Sequence, residues 1–190
     1  MRNLNATTAV IIERHAPALF INTGCAGAFP ESCLAVGELA LASVEICADE
    51  GVLTPAGWLS YGGIGIPAVE RKGKRYFNEF PLSLSVAEQA VRLAAALGIQ
   101  LARGKFITVS TCSGTAQRGQ ELHERYGAIC ENMEGAAVAQ VALRYGVDCL
   151  EVRGVSNLLE DRDLARWNIP LAAERAQRFL LKFITSWSGE

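Results

Sequence analysis

Residues 128–157 read AICENMEGAAVAQVALRYGVDCLEVRGVSN, and the order of their patterns decides the fold. Ala128 to Glu131 is a short apolar run, as expected of a buried strand. Met133 to Tyr145 is an alanine-rich helical stretch that Gly146 ends. Cys149 to Val155 (CLEVRGV) is a second strand. Working outward, the alternation continues. Residues 4–15 predict a helix with Leu4, Thr8, Ile11 and Ile12 on one face, stopped by Pro17. Ala18 to Asn22 (ALFIN) predicts a strand buried on both faces, with a turn at Thr23–Gly27. Gly37 to Ala48 (GELALASVEICA) predicts another strand. Residues 49–82 hold no clear period and are rich in Gly, Pro and charge, so they read as a long excursion, functional or partly structured. Ser85 to Leu97 reads as a helix opened by the capping box Ser85-x-x-Glu88 and closed by Gly98. Lys105 to Ser110 is a strand, Gln117 to Tyr126 a short polar helix, and Ile169 to Trp187 the last helix, with its apolar residues in 3/4 spacing.

Alternating strands and helices predict an α/β class: a single-domain, three-layer αβα sandwich over residues 1–190, with a mixed, mainly parallel central sheet. Ligands in such folds sit at the carboxyl ends of strands. That directs attention to the residues after Asn22, after Ser110, at Asn132–Glu134 and at Ser156–Asn157.

Composition narrows the function. The 190 residues suit one domain. Half are hydrophobic and 20% are charged, which excludes a largely disordered chain. Eighteen basic against twenty acidic residues leave a net charge of −2, so no field draws nucleic acid or an anionic membrane. No apolar run reaches the ~18–20 residues that span a bilayer, and MRNLNATTAV has no apolar core of a signal peptide. The six cysteines form no CxxC and there are only two histidines, so neither a zinc site nor a disulfide framework is expected. A reduced, cytoplasmic protein without metal or cofactor is the expectation.

Several clusters carry candidate chemistry. Glu134 is either a first-turn glutamate favoured by the helix dipole, or a carboxylate placed to accept two hydrogen bonds from a sugar diol. Met133 beside it offers an apolar surface to the sugar, and Asn132 precedes both. Arg153 lies inside an apolar strand, where an unpaired charge is expensive, so it requires a carboxylate partner. Ser156 and Asn157 are either ordinary turn chemistry or groups that hydrogen-bond a heterocycle. The Gly24-Cys25 turn could present backbone N–H groups to an anion or a water. Ser110 and Thr111, with Ser113 and Thr115, are either a hydroxyl-rich loop or a pocket lining. Cys112 and His123 have no feature that makes them a nucleophile pair. Glu70 to Arg75 reads as a solvated charge run. Trp167, Asn168 and Pro170 are either a lid or the start of the last helix.

Four of these segments occur together: Asn5-Ala6, Asn22 to Gly27, Asn132 to Ala137 and Arg153 to Asn157. In order and spacing they resemble the nucleoside phosphorylase/nucleosidase superfamily, over nearly the whole chain. Within it, Thr108–Thr111, Arg153–Asn157 and Trp167–Pro170 are most similar to the futalosine hydrolases of the alternative menaquinone pathway. The resemblance implies hydrolysis of an N-glycosidic bond with release of hypoxanthine, a small-molecule nucleoside as substrate, and a homo-oligomer. It implies Glu134 on the ribose hydroxyls, Met133 against the sugar, Asn157 on the departing base and Arg153 positioning Glu134 or Asn157. Two departures have a physical reading. Hexameric phosphorylases of the superfamily carry a phosphate-holding arginine where this chain has Asn22, so water is the expected attacker. Adenine-releasing nucleosidases carry an aspartate where this chain has Asn157. An amide cannot protonate a base but can donate a hydrogen bond to a 6-oxopurine. A third departure is that the superfamily opens with a strand ending in a water-activating glutamate. This chain starts near the later Asn5-Ala6 segment, so it is expected to be N-terminally incomplete relative to the family. The alternatives are a methylthioadenosine/adenosylhomocysteine nucleosidase, a purine nucleoside phosphorylase, or a non-catalytic nucleoside-binding protein.

Overall fold

The strand expected to end at Asn22 runs on to Ala28. A computed structural model, which describes residues 2–187, places Leu19–Ala28 in one strand, β1. The Thr23–Gly27 turn is therefore strand. Its two glycines serve close approach rather than a bend. A Cβ at Gly24 would stand 2.9 Å from the Arg153 guanidinium, and one at Gly27 would stand 3.2 Å from the Asn157 amide.

The remaining elements follow the expected order. Helix α1 spans Arg2–His15, and β2 spans Leu39–Cys47. The excursion after Ala48 is structured. It contains a hairpin of β3 (Gly51–Thr54) and β4 (Gly57–Ser60), the short helix α2 (Tyr61–Ile64), a hairpin of β5 (Val69–Arg71) and β6 (Lys74–Tyr76), and β7 (Glu79–Pro81). The Glu70–Arg75 charge run is thus the β5–β6 hairpin, and Arg75 pairs with Glu70 in solvent. Helix α3 covers Leu84–Ala96 and begins at Ser83, so the Ser85/Glu88 capping box does not form. The Ser83 hydroxyl instead donates to Asp148. Then come β8 (Leu101–Thr108), α4 (Ala116–Tyr126), β9 (Cys130–Asn132), α5 (Gly135–Tyr145), β10 (Asp148–Leu158) and α6 (Ile169–Ser186).

The sheet runs β10-β1-β9-β8-β2, and β10 also pairs with β2, so five strands close into a ring. β7 joins on the outer edge of β2. The pairing is mixed: β1–β10, β2–β8 and β8–β9 are parallel, while β1–β9 and β10–β2 are antiparallel. The α/β class and the mixed sheet are as expected. Closure of the sheet departs from an open sandwich, because β10 is long enough to reach both β1 and β2.

One core cluster draws on all five ring strands: Ala26 and Ala28, Ala40 and Ala42, Phe106, Cys130 and Val155. Mostly small side chains fill the inside of a narrow ring. The alternate residues Leu39, Leu41, Leu150 and Val152 face outward onto α3 and α6, against Ala87, Ala90, Ala176, Phe179 and Phe183. Because side chains alternate along a strand, Glu151 and Arg153 share the inward face with Val155.

Helix α6 lies close on β10 because position 154 has no side chain. A Cβ there would overlap the backbone carbonyl of Ala172. The neighbour is helix backbone and cannot rotate away. Gly154→Ala is expected to destabilise the protein by about 2–3 kcal/mol, read as a fall of roughly 5–10 °C in Tm.

Candidate active site

β10 carries the site: it runs on through Leu158 and bulges at Ser156. A register shift between Ala26 and Gly27 sets Gly27 opposite Asn157, while on the other side of β1 Gly27 sits opposite Glu131. Residues directly across a sheet point to the same face. Asn157 and Glu131 therefore flank Gly27, and the buried Leu159 side chain fills the space over that glycine.

The Asn157 amide has a defined direction. One of its side-chain atoms lies 3.1 Å from the Leu158 carbonyl, which can only accept, so that atom is the nitrogen Nδ2. The oxygen accepts from the Ser156 hydroxyl at 2.8 Å. The second N–H of Nδ2 remains for a ligand.

Glu131 is buried. Its two oxygens accept from the Ser113 backbone N–H (2.8 Å) and the Ser113 hydroxyl (2.6 Å). Burial pushes its carboxyl above the usual range, and the Ser113 bonds partly offset this.

On the other side of the site, Arg153 is 3% exposed. Nε donates to Glu151 at 2.7 Å, and Nη1 donates to Glu134 at 3.0 Å and to the Cys25 carbonyl at 3.1 Å. Burial alone would lower its pKa, but Glu151, Glu134 and Glu45 outweigh that and raise it. The sequence required a carboxylate partner for Arg153, and the structure supplies Glu151 and Glu134. The ion pair uses Glu134 Oε2; Oε1 stands outside it.

Asn132 ties the two sides together. Its Oδ1 accepts from the backbone N–H groups of Glu134 (2.9 Å) and Gly135 (2.6 Å). It thereby caps α5, whose N-cap residue Glu134 makes no side-chain cap bond. Its Nδ2 donates to Glu45 at 2.6 Å and to the Ile107 carbonyl at 3.2 Å. Asn132 was expected to touch substrate. It lines the cavity, while its amide is engaged within the protein and orients the turn that presents Glu134.

A cavity of about 320 Å³ collects these groups. Cys25, Asn132, Met133, Glu134, Ser156 and Asn157 line it, joined by Gly27, Glu131, Ser113, Arg162 and Trp167. Ser110 and Thr111 are exposed and lie outside that lining; Ser113 from the same loop lies within it. Gly24 is also outside it and leaves room for Arg153. Trp167 is both wall and helix approach: Arg162 stacks on its ring at 5.0 Å, and the Asn168 side chain caps α6 through the Leu171 N–H. Burial raises the Cys25 thiol, which argues against a thiolate nucleophile. His123 faces the Ala128 carbonyl and Cys112 faces Arg162, so they form no dyad. A larger cavity of about 760 Å³ lies between α6 and the Gly98–Gln100 segment. It gathers no comparable convergence of buried polar groups.

Glu45 and Glu131 were missed as site residues. Glu45 is an acid inside the apolar run SVEICA, the same signal that marked Arg153. Glu131 gave no signal beyond lying next to Asn132.

The profile of the Phosphorylase superfamily matches residues 1–185. The chain belongs to that superfamily. It is 35% identical to the futalosine hydrolase of Thermus thermophilus over 87% of this chain and 69% of that protein. To the futalosine hydrolase of Streptomyces coelicolor it is 37% identical, over 80% of this chain and 58% of that one. It is 28% identical to the 5'-methylthioadenosine/S-adenosylhomocysteine nucleosidase of Geobacillus thermodenitrificans, over 94% and 72%. The chain thus spans about three fifths to three quarters of the length of these curated relatives. Among solved structures, futalosine hydrolase of Helicobacter pylori superposes with a TM-score of 0.81 at 20% identity, covering 98% of this chain and 76% of that one. The 5'-methylthioadenosine/S-adenosyl homocysteine nucleosidase of Campylobacter jejuni superposes with a TM-score of 0.74 at 26% identity, over 96% and 76%.

Within this superfamily member, Arg153 is the group whose loss should be felt most. Arg153→Met keeps the stem but leaves Glu151 buried without a counter-charge. It is expected to destabilise by about 3–5 kcal/mol, measured by denaturant unfolding at neutral pH.

Proposed function

We propose that the protein hydrolyses the N-glycosidic bond of futalosine and releases hypoxanthine, in the futalosine route to menaquinone. The observation that carries this reading is the fixed direction of the Asn157 amide, which offers an N–H to the cavity. A 6-oxopurine accepts at N7 and O6. It also carries a proton on N1, and the Glu131 carboxylate in the same cavity lining is an acceptor for it. Adenine has no N1 proton, so the same carboxylate would face a lone pair. The identities to futalosine hydrolases support the same substrate.

The reaction is dissociative. The bond to the base lengthens, and positive charge builds on the ribosyl ring, as in glycoside hydrolysis. Glu134 binds the ribose hydroxyls through the oxygen that Arg153 leaves uncommitted, and its charge favours the cationic ring. Met133, 41% exposed at the cavity, packs on the sugar. Asn157 stabilises the electron density arriving on the base. Water is the attacker, because Asn22 offers no charge to hold phosphate; it gives up one proton as it bonds to the anomeric carbon, and the departing purine anion takes up one, so the products are a ribosyl hydroxyl and neutral hypoxanthine. The site residues are Asn157 and Glu134 for the chemistry, with Met133, Ser156 and Cys25 at the substrate, and Arg153 and Asn132 as positioning groups.

We also read the protein as cytoplasmic and self-associating. All six cysteines are free thiols, which suits a reducing compartment. Val52, Leu53, Leu59 and Ile66 expose an apolar surface on the segment around the β3–β4 hairpin, which a second copy of the chain would cover.

Base release from futalosine, inosine and methylthioadenosine, followed by chromatography with and without phosphate, tests the reading. Phosphate-independent hypoxanthine release from futalosine is expected. Phosphate-dependent turnover, or faster adenine release, would overturn it. Glu134→Gln should lower kcat/KM at least about a hundredfold, or about 2.7 kcal/mol. Asn157→Asp should shift the hypoxanthine-to-adenine preference by about tenfold toward adenine, or about 1.4 kcal/mol. An unchanged ratio would remove Asn157 from base selection.

A further inference from the structure

Behind Glu134 lie two carboxyl groups that the proposed reaction does not use. Glu45 and Glu151 are both 0% exposed. They meet under the first residue of α5: a Cβ at Gly135 would overlap Glu45 Oε1 and stand 2.6 Å from Glu151 Oε2. Glu151 Oε1 is held by Arg153, but Glu151 Oε2 is buried with no hydrogen-bond partner. Glu45 accepts from Thr108 at Oε2 (2.7 Å) and from Asn132 at Oε1 (2.6 Å).

Two ionised carboxylates this close, dry and facing each other carry a large Coulomb penalty. One guanidinium, already shared with Glu134, does not cancel both. A proton between them removes the excess charge and satisfies the orphaned oxygen at once. We propose that Glu45 and Glu151 share a single proton, with Glu45 as the neutral acid and Glu151 as the anion bound to Arg153, and that this pair positions Glu134. The assignment follows from the partners, since Glu151 has the guanidinium and Glu45 has only neutral ones. From Glu45 the network runs through Asn132 to the Glu134 N–H. From Glu151 it runs through Arg153 to the Glu134 carboxylate. Both arms end on Glu134.

The groups facing the pair are Arg153, Glu151 and Cys149 on β10, Glu134 at the start of α5, Cys130 on β9 and Cys47 on β2. Burial raises all three thiols, so they stay neutral and add no charge. Asn22, directly across β1 from Glu151, brings an amide but no charge. Burial, and then the charge of Glu151, push the Glu45 carboxyl well above its ordinary range.

The sign of the pH dependence follows. In the unfolded chain Glu45 loses its proton near pH 4.3; in the folded protein it keeps it. Between those two values the folded state binds one more proton, so that share of stability is fully present below the unfolded value and lost as pH rises. Glu45→Gln holds no such proton. The unfolding constant of the wild type, divided by that of Glu45→Gln, is expected to rise about tenfold per pH unit from pH 5 to pH 7. A ratio flat over that range means both carboxylates are ionised and overturns the proposal. Infrared spectra of the folded wild type at pH 7 give a check that needs no variant. The carbonyl stretch of one protonated carboxylic acid is expected, and its absence overturns the proposal even if Glu45→Gln does not fold.

The positioning role rests on the proposed reaction; the proton does not. Glu45→Ala, which deprives Asn132 of its acceptor, is expected to lower kcat at least tenfold with little change in KM. Glu45→Gln, neutral and of the same shape, should recover most of that loss. Equal loss in both variants would mean that Glu45 acts as a charge, against the neutral acid. If the protein proves to catalyse another reaction, the pH-dependent unfolding and the infrared band still decide the shared proton.

Discussion

The buried guanidinium of Arg153 is the constraint on which the rest of the site depends. A charge that cannot be neutralised, enclosed on a strand inside a five-stranded ring, must be surrounded by acceptors. Glu151 meets Nε from two residues away on the same face of β10, and Glu134 and the Cys25 carbonyl meet Nη1. The neighbouring strand yields space by carrying Gly24. The carboxylate at the start of α5 is thereby held at the cavity wall. A side chain buried in the core thus fixes the position of one at the surface.

The same economy of space governs the other half of the cavity. Gly27 lies between Asn157 and Glu131 because both neighbouring strands register on it. A side chain there would run into Leu159 and crowd the Asn157 amide. The amide and the acid on either side differ in chemistry, one presenting an N–H and the other an oxygen. A glycine separates these two buried polar residues. At Gly135 the pattern recurs: the absent Cβ leaves the volume in which two carboxyl groups approach each other. At three positions, then, the site is shaped by what the sequence omits.

Much of this was legible beforehand. Helices α4, α5 and α6 lie within two residues of their expected limits, because apolar periodicity, Gly146 and the Asn168-Ile169-Pro170 start are local signals. Met133, Glu134, Ser156 and Asn157 were marked as site residues and converge on one cavity. β1 was read too short, because Thr23–Gly27 carries turn residues whose strand conformation is imposed by pairing to β10 and β9. The Ser85/Glu88 capping box matched in sequence, but Ser85 lies in the first turn of a helix whose N-cap is Ser83. Asn132 was marked for its neighbours; its own hydrogen bonds make it a helix cap.

The amino-acid sequence by itself determined the strand–helix order, the α/β class and the need of Arg153 for an acid, since periodicity and the cost of a buried charge are properties of short segments. Only the tertiary structure decided which acid meets which oxygen, that the sheet closes through β10 and β2, and that Glu45 and Glu151, 106 positions apart in the chain, come together under Gly135. Those outcomes depend on strand register and on the space left by missing side chains. Neither is set by neighbouring residues, because both arise from contacts between segments far apart in the chain.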